Sequence, residues 1–429
     1  MRNIGCLGLM FLLAIPLYAQ HSAEYRMRQA GTRLQTLHNK FDEADLQWFT
    51  PDFFQVVPRE KLIEGLKYNG KQLGEIQRVR ICRITDPWSG ELELIGEGDK
   101  RMRVIVRLET GPQSRINYVL FNPIDMADDT WAKLESDLAK LPGKNGVSVW
   151  KLTTKIEKLF SRNATESLAV GSSLKLLILS LLCDDIAAGK RKWSDLVTLR
   201  EEARSLPSGQ LQDWPVGSPV TLHTLATLML SRSDNTAADH LMLTLGREAL
   251  EEHQKKVNIL HPERNQPFLR TNELFKLKLV LTPQEAQSFL ERTPGNKRDY
   301  LSELAKVPLR TPRVPDVPQN IDQIEWFFCT EDLARLMDRL RQSPVHGEVL
   351  PLLAITRPFD IDDFAWKYLG FKGGAEVGVL NLSLLGQLRS NSDWYAFSFT
   401  WNDSQKPLNE PLWIRFVERS LRLVERGRK

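Results

Sequence analysis

The stretch VGSSLKLLILSLLC, from Val170 to Cys183, constrains the fold of this chain more than any other. It is an almost unbroken apolar run and reads as a helix buried in a core, yet it carries Lys175 near its start. A buried helix excludes an ammonium group unless that group is paired or has a role. The fold must therefore enclose this helix and supply a reason for its lysine. With 429 residues, 42% of them hydrophobic and 26% charged, the chain is long enough for two or three domains.

Charge excludes one broad class of partner. The 58 basic and 54 acidic residues leave a formal charge of +4, and no basic block is interleaved with aromatics, so a nucleic-acid groove is not expected. The basic C-terminal RSLRLVERGRK reads as the solvated face of a last amphipathic helix. At the other end, MRNIGCLGLMFLLAIPLYAQHS places Arg2 before an apolar stretch broken by Pro16 and ending at the small Ala19. That is the layout of a signal peptide over residues 1–19, cleaved after Ala19, and it predicts an exported protein, periplasmic or extracellular. Cys6 precedes the apolar core, which argues against a lipoprotein cysteine. No other segment is apolar for the ~20 residues a membrane span requires, so no stable membrane insertion is expected once the signal is gone.

Cys82, Cys183 and Cys329 then remain, with no metal or redox spacing; they read as small buried side chains, at least one of them free. The seven histidines form no metal-binding pattern, so neither a metal nor another cofactor is expected.

Two changes of hydrophobic period organise the rest. Helices are expected from about Glu24 to Asn39 and from Pro58 to near Gly70. RMRVIVRLE then alternates, with Met102, Val104, Val106 and Leu108 on one face, as in a half-buried strand. EIQRVRICRIT, GELELIGE and SRINYVLF add three further strands, giving an α+β N-terminal domain over residues 20–124 with a curved antiparallel sheet. A join is placed near Asn122 to Asp129, and the second domain occupies residues 125–429. There TWAKLESDLAKL reads as helix and GVSVWKLTT as strand, followed by a long helical middle. Residues around 250–320 read as an extended insertion, and within it Gln266 to Asn320 lacks one clear period except for a short helix in LTPQEAQSFLERT. IEWFFCTEDLARLMDRLRQ reads as helix, GFKGGAEVGVLNLSLLGQL and DWYAFSFTW as strands, and a terminal helix closes the chain. Strands flanking a helical middle predict an α/β sandwich with a split sheet.

Three short motifs carry chemistry in that second domain. Ser172 and Lys175, three apart on a helix, sit side by side, whereas Ser148 and Lys151, three apart on a strand, point to opposite faces. At a helix start the free backbone N–H groups lie beside the serine oxygen, where an oxyanion needs support. A lysine held neutral by apolar surroundings is a base for that hydroxyl. Ser233-Asp234-Asn235 follows, and these residues also suit a helix N-cap. The third motif is Lys372-Gly373-Gly374 in a strand, where paired glycines weaken pairing unless another backbone must come close; the alternative is a bulge or bend.

Ser-x-x-Lys, Ser-Asp-Asn and a Lys-x-Gly strand, in this order, resemble the signature set of class A β-lactamases and penicillin-binding proteins. LAVGSSLKL and LPSGQLQDWPVGSPVTLHTLATLMLSRSDNTAADHLM extend the resemblance, which covers about Ala127 to Lys429. It implies a class A β-lactamase-like α/β sandwich and an exported serine hydrolase. Ser172 would be the acylated nucleophile, Lys175 its base and Ser233 a proton relay. Asn235 would contact the substrate amide, Lys372 the substrate carboxylate, and the N–H groups of Ser172 and Ala375 would form the oxyanion hole, with Gly373 and Gly374 in the binding strand.

The family's usual hydroxyl between lysine and glycine is missing at Gly373, and Glu376 puts a carboxylate beside the site that works against an anionic β-lactam. The water-activating glutamate has no clean motif; Glu273, in RTNELFKL, lies at a suitable distance in the wrong local pattern. The implied substrate is a small molecule: a β-lactam or, alternatively, an ester or D-alanyl peptide. A ligand-binding protein that keeps the fold without turnover is the other reading. The N-terminal domain is similar to the steroid-isomerase-like half of a smaller group of two-domain proteins, like one encoded in the clavulanic acid biosynthesis cluster. A monomer is expected.

Overall fold

Each period in the sequence becomes a layer in the computed structural model, which describes residues 22–121, 129–308, 315–356 and 365–427. The expected signal at residues 1–19, and the join except for Asp129, lie outside the described residues. The chain divides into two compact units, Met1–Asp129 and Thr130–Lys429.

In the first unit, helix Ala23–Asn39 starts at Ser22, whose hydroxyl caps Tyr25 N, and buries Met27, Ala30, Leu34 and Leu37 along one stripe. Shorter helices follow at Pro51–Val56 and Arg59–Leu73. Four antiparallel strands, β1 (Arg78–Asp86), β2 (Ser89–Ile95), β3 (Arg101–Leu108) and β4 (Ile116–Phe121), form a meander in chain order. Met102, Val104, Val106 and Leu108 all point into the core shared with the first helix. Exclusion of these apolar faces from water, roughly 1.5–3 kcal/mol for each fully buried large side chain, gives this unit its own core.

The second unit is a three-layer sandwich. Helix Trp131–Leu138 leads into β5 (Lys144–Leu152) and β6 (Ile156–Arg162), and short strands follow at β7 (Leu168–Ala169), β8 (Leu196–Thr198), β9 (Pro219–Thr221) and β10 (Phe327–Phe328). The chain then returns to the main sheet in β11 (Trp366–Glu376), β12 (Val379–Leu388) and β13 (Trp394–Asn402). The five-stranded antiparallel sheet has the order β11-β12-β13-β5-β6, so its early and late strands meet between β13 and β5. The split sheet is present as the sequence suggests.

One face of this sheet is covered by the Trp131–Leu138 and Glu410–Glu425 helices, through Trp131, Leu134, Trp413, Phe416 and Val417. The other carries the helical layer around helix Lys175–Ala187, whose residues 175–183 are all buried. That helix packs against helices Thr330–Gln342, Asn235–Leu245 and Arg247–Lys256. Being enclosed on every side, it needs no polar face.

Two expectations change. Residues 266–320 contain three helices, Thr271–Leu279, Pro283–Leu290 and Pro294–Leu304, where one was expected. The first has no apolar stripe to read because it buries Glu273, Lys276 and Lys278 beside Leu274 and Leu277. IEWFFCTEDLARLMDRLRQ is helical only from Thr330; its Phe327 and Phe328 pair with Ala169 and Leu168 as β10, and the helix is capped by Cys329. Among the described residues Cys82, Cys183 and Cys329 are free, and Cys82 is only half-buried.

Candidate active site

Ser172 stands on a 3-10 turn, Gly171–Leu174, that runs directly into the buried Lys175–Ala187 helix. Two glycines set its surroundings. Gly171 has φ +51°, in the left-handed region, and a Cβ there would lie 3.3 Å from Ala375 N. A Cβ on Gly374 would lie 2.6 Å from Ser172 N and 2.8 Å from Ser173 N. The register of β11 with β12 runs unbroken from Lys372↔Ser383 to Glu376↔Val379. The paired glycines therefore mark a close backbone approach, not a bulge. This approach brings together the segments that carry the N–H groups of Ser172 and Ala375. Ser173 locks the turn from behind: its hydroxyl donates to Asn381 Oδ1 at 2.6 Å, and Asn381 is held in turn by Thr400 and Ser383. A buried network of this kind fixes geometry because each unmade bond would cost about 1–3 kcal/mol.

Lys175 is fully buried, and its Nζ reaches four oxygens: Ser233 O at 2.6 Å, Asn235 Oδ1 at 2.7 Å, and the hydroxyls of Ser172 and Ser233, each at 3.2 Å. None of these is a carboxylate. Burial, and next the Lys372 ammonium, hold the amine well below the ordinary lysine value, against the raising pull of Asp234 and Asp239.

Ser233 has φ +51°, unusual for a side chain other than glycine, and this turn aims both its carbonyl and its hydroxyl at Lys175. The carbonyl also accepts from Ser208 Oγ at 2.8 Å. Asp234 is the N-cap of helix Asn235–Leu245, accepting from Ala237 N, and it also ties down Gln210 N and Leu211 N. The helix-cap reading of Ser-Asp-Asn therefore holds at Asp234, while Ser233 of the same turn faces Lys175. Asn235 points Oδ1 at Lys175 and donates Nδ2 to Leu206 O at 3.1 Å.

From the strand side, Lys372 Nζ donates to Ser233 Oγ at 3.1 Å and to Gly373 O at 2.5 Å, and burial pushes its value down to about 7. The Ser233 hydroxyl is therefore bracketed by two lysines. At Gly373 a Cβ would lie 2.6 Å from Phe371 Cζ, so that ring stands where a side-chain hydroxyl would have to go.

Glu273 is drawn into a different job. It sits at the start of helix Thr271–Leu279, where it accepts from Arg270 N at 2.8 Å and pairs with Arg270 at 3.0 Å and Arg247 at 2.7 Å. Glu376 is likewise engaged, with the buried Lys278, whose ammonium also pairs with Glu325 at 3.0 Å. Lys278, Glu325 and Asn381 carried no sequence signal: each is a solitary polar residue in a segment of mixed period, and only folding gives it neighbours. Among the described residues no group of three or more His, Cys, Asp or Glu is placed to hold a metal ion, and no helix is long and apolar enough to cross a membrane.

Residues 129–345 match the beta-lactamase enzyme family. Among solved structures, PBP-A is similar at 17% identity with a TM-score of 0.48, over 69% of this chain and 94% of that one. A beta-lactamase from Sphaerobacter thermophilus DSM 20745 is similar at 17% identity with a TM-score of 0.49, over 70% and 100%. One from Chitinophaga pinensis DSM 2588 is similar at 14% identity with a TM-score of 0.47, over 69% and 98%. No curated protein matches the chain.

Proposed function

This chain belongs to the beta-lactamase enzyme family, with a class A β-lactamase-like fold over its C-terminal part, and on that premise we propose that it is a serine hydrolase acting through an acyl-enzyme on Ser172. The observation that supports this most is the surroundings of Lys175. A neutral amine has two hydrogens and one lone pair. The two shortest contacts, to Ser233 O and Asn235 Oδ1, are with oxygens that only accept, so they use both hydrogens. The lone pair is left for the two hydroxyls at 3.2 Å, those of Ser172 and Ser233, and can take a proton from the first and return it through the second.

In the proposed reaction Ser172 Oγ loses its proton to Lys175 and attacks the substrate carbonyl carbon. The oxyanion is met by the N–H groups of Ser172 and Ala375. The proton then passes from Lys175 through the Ser233 hydroxyl to the leaving atom, with Lys372 on the far side of that hydroxyl. General-base help of this kind contributes typically ~10²–10⁴-fold. A β-lactam is the leading substrate class, with Lys372 facing its carboxylate. A second reading, a neutral ester or D-alanyl peptide, draws support from Phe371, whose ring fills the place of a further carboxylate-binding hydroxyl beside Gly373. The reading extends to an exported monomer whose N-terminal unit, of steroid-isomerase-like type, has no active site of its own.

Intact-protein mass spectrometry during exposure to a chromogenic cephalosporin and to a short chromogenic ester tests the proposal. A covalent adduct or turnover with one of them, abolished in Ser172→Ala, is the expected result. Labelling or turnover that survives in Ser172→Ala overturns it, and tight binding unaffected by that change would point to a non-turnover ligand-binding protein.

A further inference from the structure

Of the carboxylates near Ser172 and Lys175 other than Glu376, Asp234, Asp239 and Glu273 have settled structural uses. Asp234 caps a helix and holds a loop. Asp239, fully buried, accepts from Thr271 N at 2.7 Å and Asn272 N at 2.9 Å. Glu273 is paired with two arginines. Glu325 has a side chain 0% exposed and faces Lys278. Glu376 differs: 19% of its side chain remains exposed.

Its position follows from strand geometry. Side chains alternate along β11, so Lys372, Gly374 and Glu376 share one face. Lys372 on that face reaches Ser233, and Gly374 lies against Ser172 N. Glu376 comes one repeat further along, about 6.6 Å beyond Gly374. Glu325 approaches the same turn from the other side: its neighbour Trp326 accepts from Val170 N at 3.0 Å, two residues before Ser172.

We propose that the Glu325–Glu376 carboxyl pair, backed by Lys278, takes the proton from the water that hydrolyses the Ser172 acyl-enzyme. The inference rests on the serine-hydrolase reading above. Two carboxyl groups in mutual contact beside one ammonium hold one proton between them. Burial first, and then the Glu325 charge and hydrogen bond, hold the Glu376 carboxyl well above the usual range, against the lowering pull of Lys278. Glu376 then carries the shared proton, and both groups lie against Lys278. A Glu376 that carries the proton is uncharged, so it does not repel an anionic substrate.

In the deacylation step the water oxygen forms its bond to the acyl carbon. One water proton goes to the free Glu376 oxygen as the proton already on Glu376 passes to Glu325. The bond from that carbon to Ser172 Oγ breaks, and its electron pair stays on Oγ. Oγ takes the remaining water proton, carried by the product's carboxyl group, by way of Lys175. The doubly protonated pair finally releases one proton to solvent, leaving Ser172 free and the product as a carboxylate.

The test follows acylation and deacylation separately, by rapid-mixing mass spectrometry of the full chain with whichever chromogenic substrate turns over. Glu376→Gln and Glu325→Gln should each acylate at close to the native rate but lose deacylation by ~10²-fold or more, so that the adduct persists. Glu376→Asp, which keeps the carboxyl group, should restore part of the loss. Deacylation within about threefold of native in a folded Glu376→Gln variant overturns the pair's role, as does a defect that Asp fails to relieve. A native protein that acylates but never releases product also overturns it, while leaving the acyl-enzyme reading intact. Neither adduct nor turnover in the native protein removes the acyl-enzyme itself, and the inference falls with it.

Discussion

Lys175 and Lys278 are both enclosed in the second unit, and the protein treats them in opposite ways. Lys175 meets two hydroxyls, a carbonyl and an amide oxygen, with a second lysine nearby, and its affinity for a proton drops. Lys278 suffers the same burial, but Glu325 and then Glu376 more than offset it, and its value rises. Burial alone therefore does not decide the charge of an interior lysine; the set of acceptors around it does. One arrangement yields an amine that can accept a proton, the other a fixed cation that organises two carboxyl groups.

Paired substitutions break this comparison most directly. Lys175→Met removes the base and should lower the acylation rate ~10²–10⁴-fold. Its cost in stability is limited to about 1–3 kcal/mol, because Ser233 O and Asn235 Oδ1 lose a donor but no charge is stranded. Lys278→Met strands two buried carboxyl groups and should cost ~3–5 kcal/mol in urea denaturation. Equal stability losses in the two variants would show that the lysines are not distinguished by their partners.

A smaller effect is expected at the strand that closes the site. Gly374→Ala drives a Cβ toward Ser172 N, 2.6 Å away, so the two backbone segments must separate. Misplacing one oxyanion donor costs ~10²-fold or more in rate, readable as slower acylation with the circular dichroism spectrum unchanged. An acylation rate equal to native would place the oxyanion donors elsewhere.

The mildest effect is on pH dependence, through the buried Lys372. Lys372 is pushed down to about 7, so raising the pH through that value removes its charge. For a substrate bound through a carboxylate, kcat/KM should fall about tenfold per pH unit above the midpoint, while a neutral ester shows no such fall. The same shift adds stability as pH rises: between about 7 and the ordinary value of 10.5 the unfolded state holds a proton that the folded state does not. Equal pH profiles for the two substrates would remove the carboxylate contact from Lys372.

Much of this was legible before folding. Local spacing put Ser172 beside Lys175, because residues three apart on a helical turn are neighbours, and it separated Ser148 from Lys151, because residues three apart on a strand are not. In the structure Ser148 bonds Thr330 inside the core, while Lys151 pairs with Asp393. The strands of the first unit were legible for a similar reason: a sheet with one buried face writes its period of two into the chain, as at Met102 to Leu108. Helix Thr271–Leu279 was hidden because its buried positions include charged residues that are neutralised by partners distant in sequence.

By itself, then, the sequence determined the elements with clean periods and the spacing that sets Ser172 beside Lys175. Periodicity and local spacing act over a few residues and leave their mark on the chain. Tertiary structure alone decided that Ser233 lies between two lysines, that Gly374 admits the backbone of Ser172, and that Glu273 is taken up by arginines while Glu376 joins Glu325 at Lys278. Charge state and close approach depend on neighbours brought from separate elements, and no local pattern encodes them.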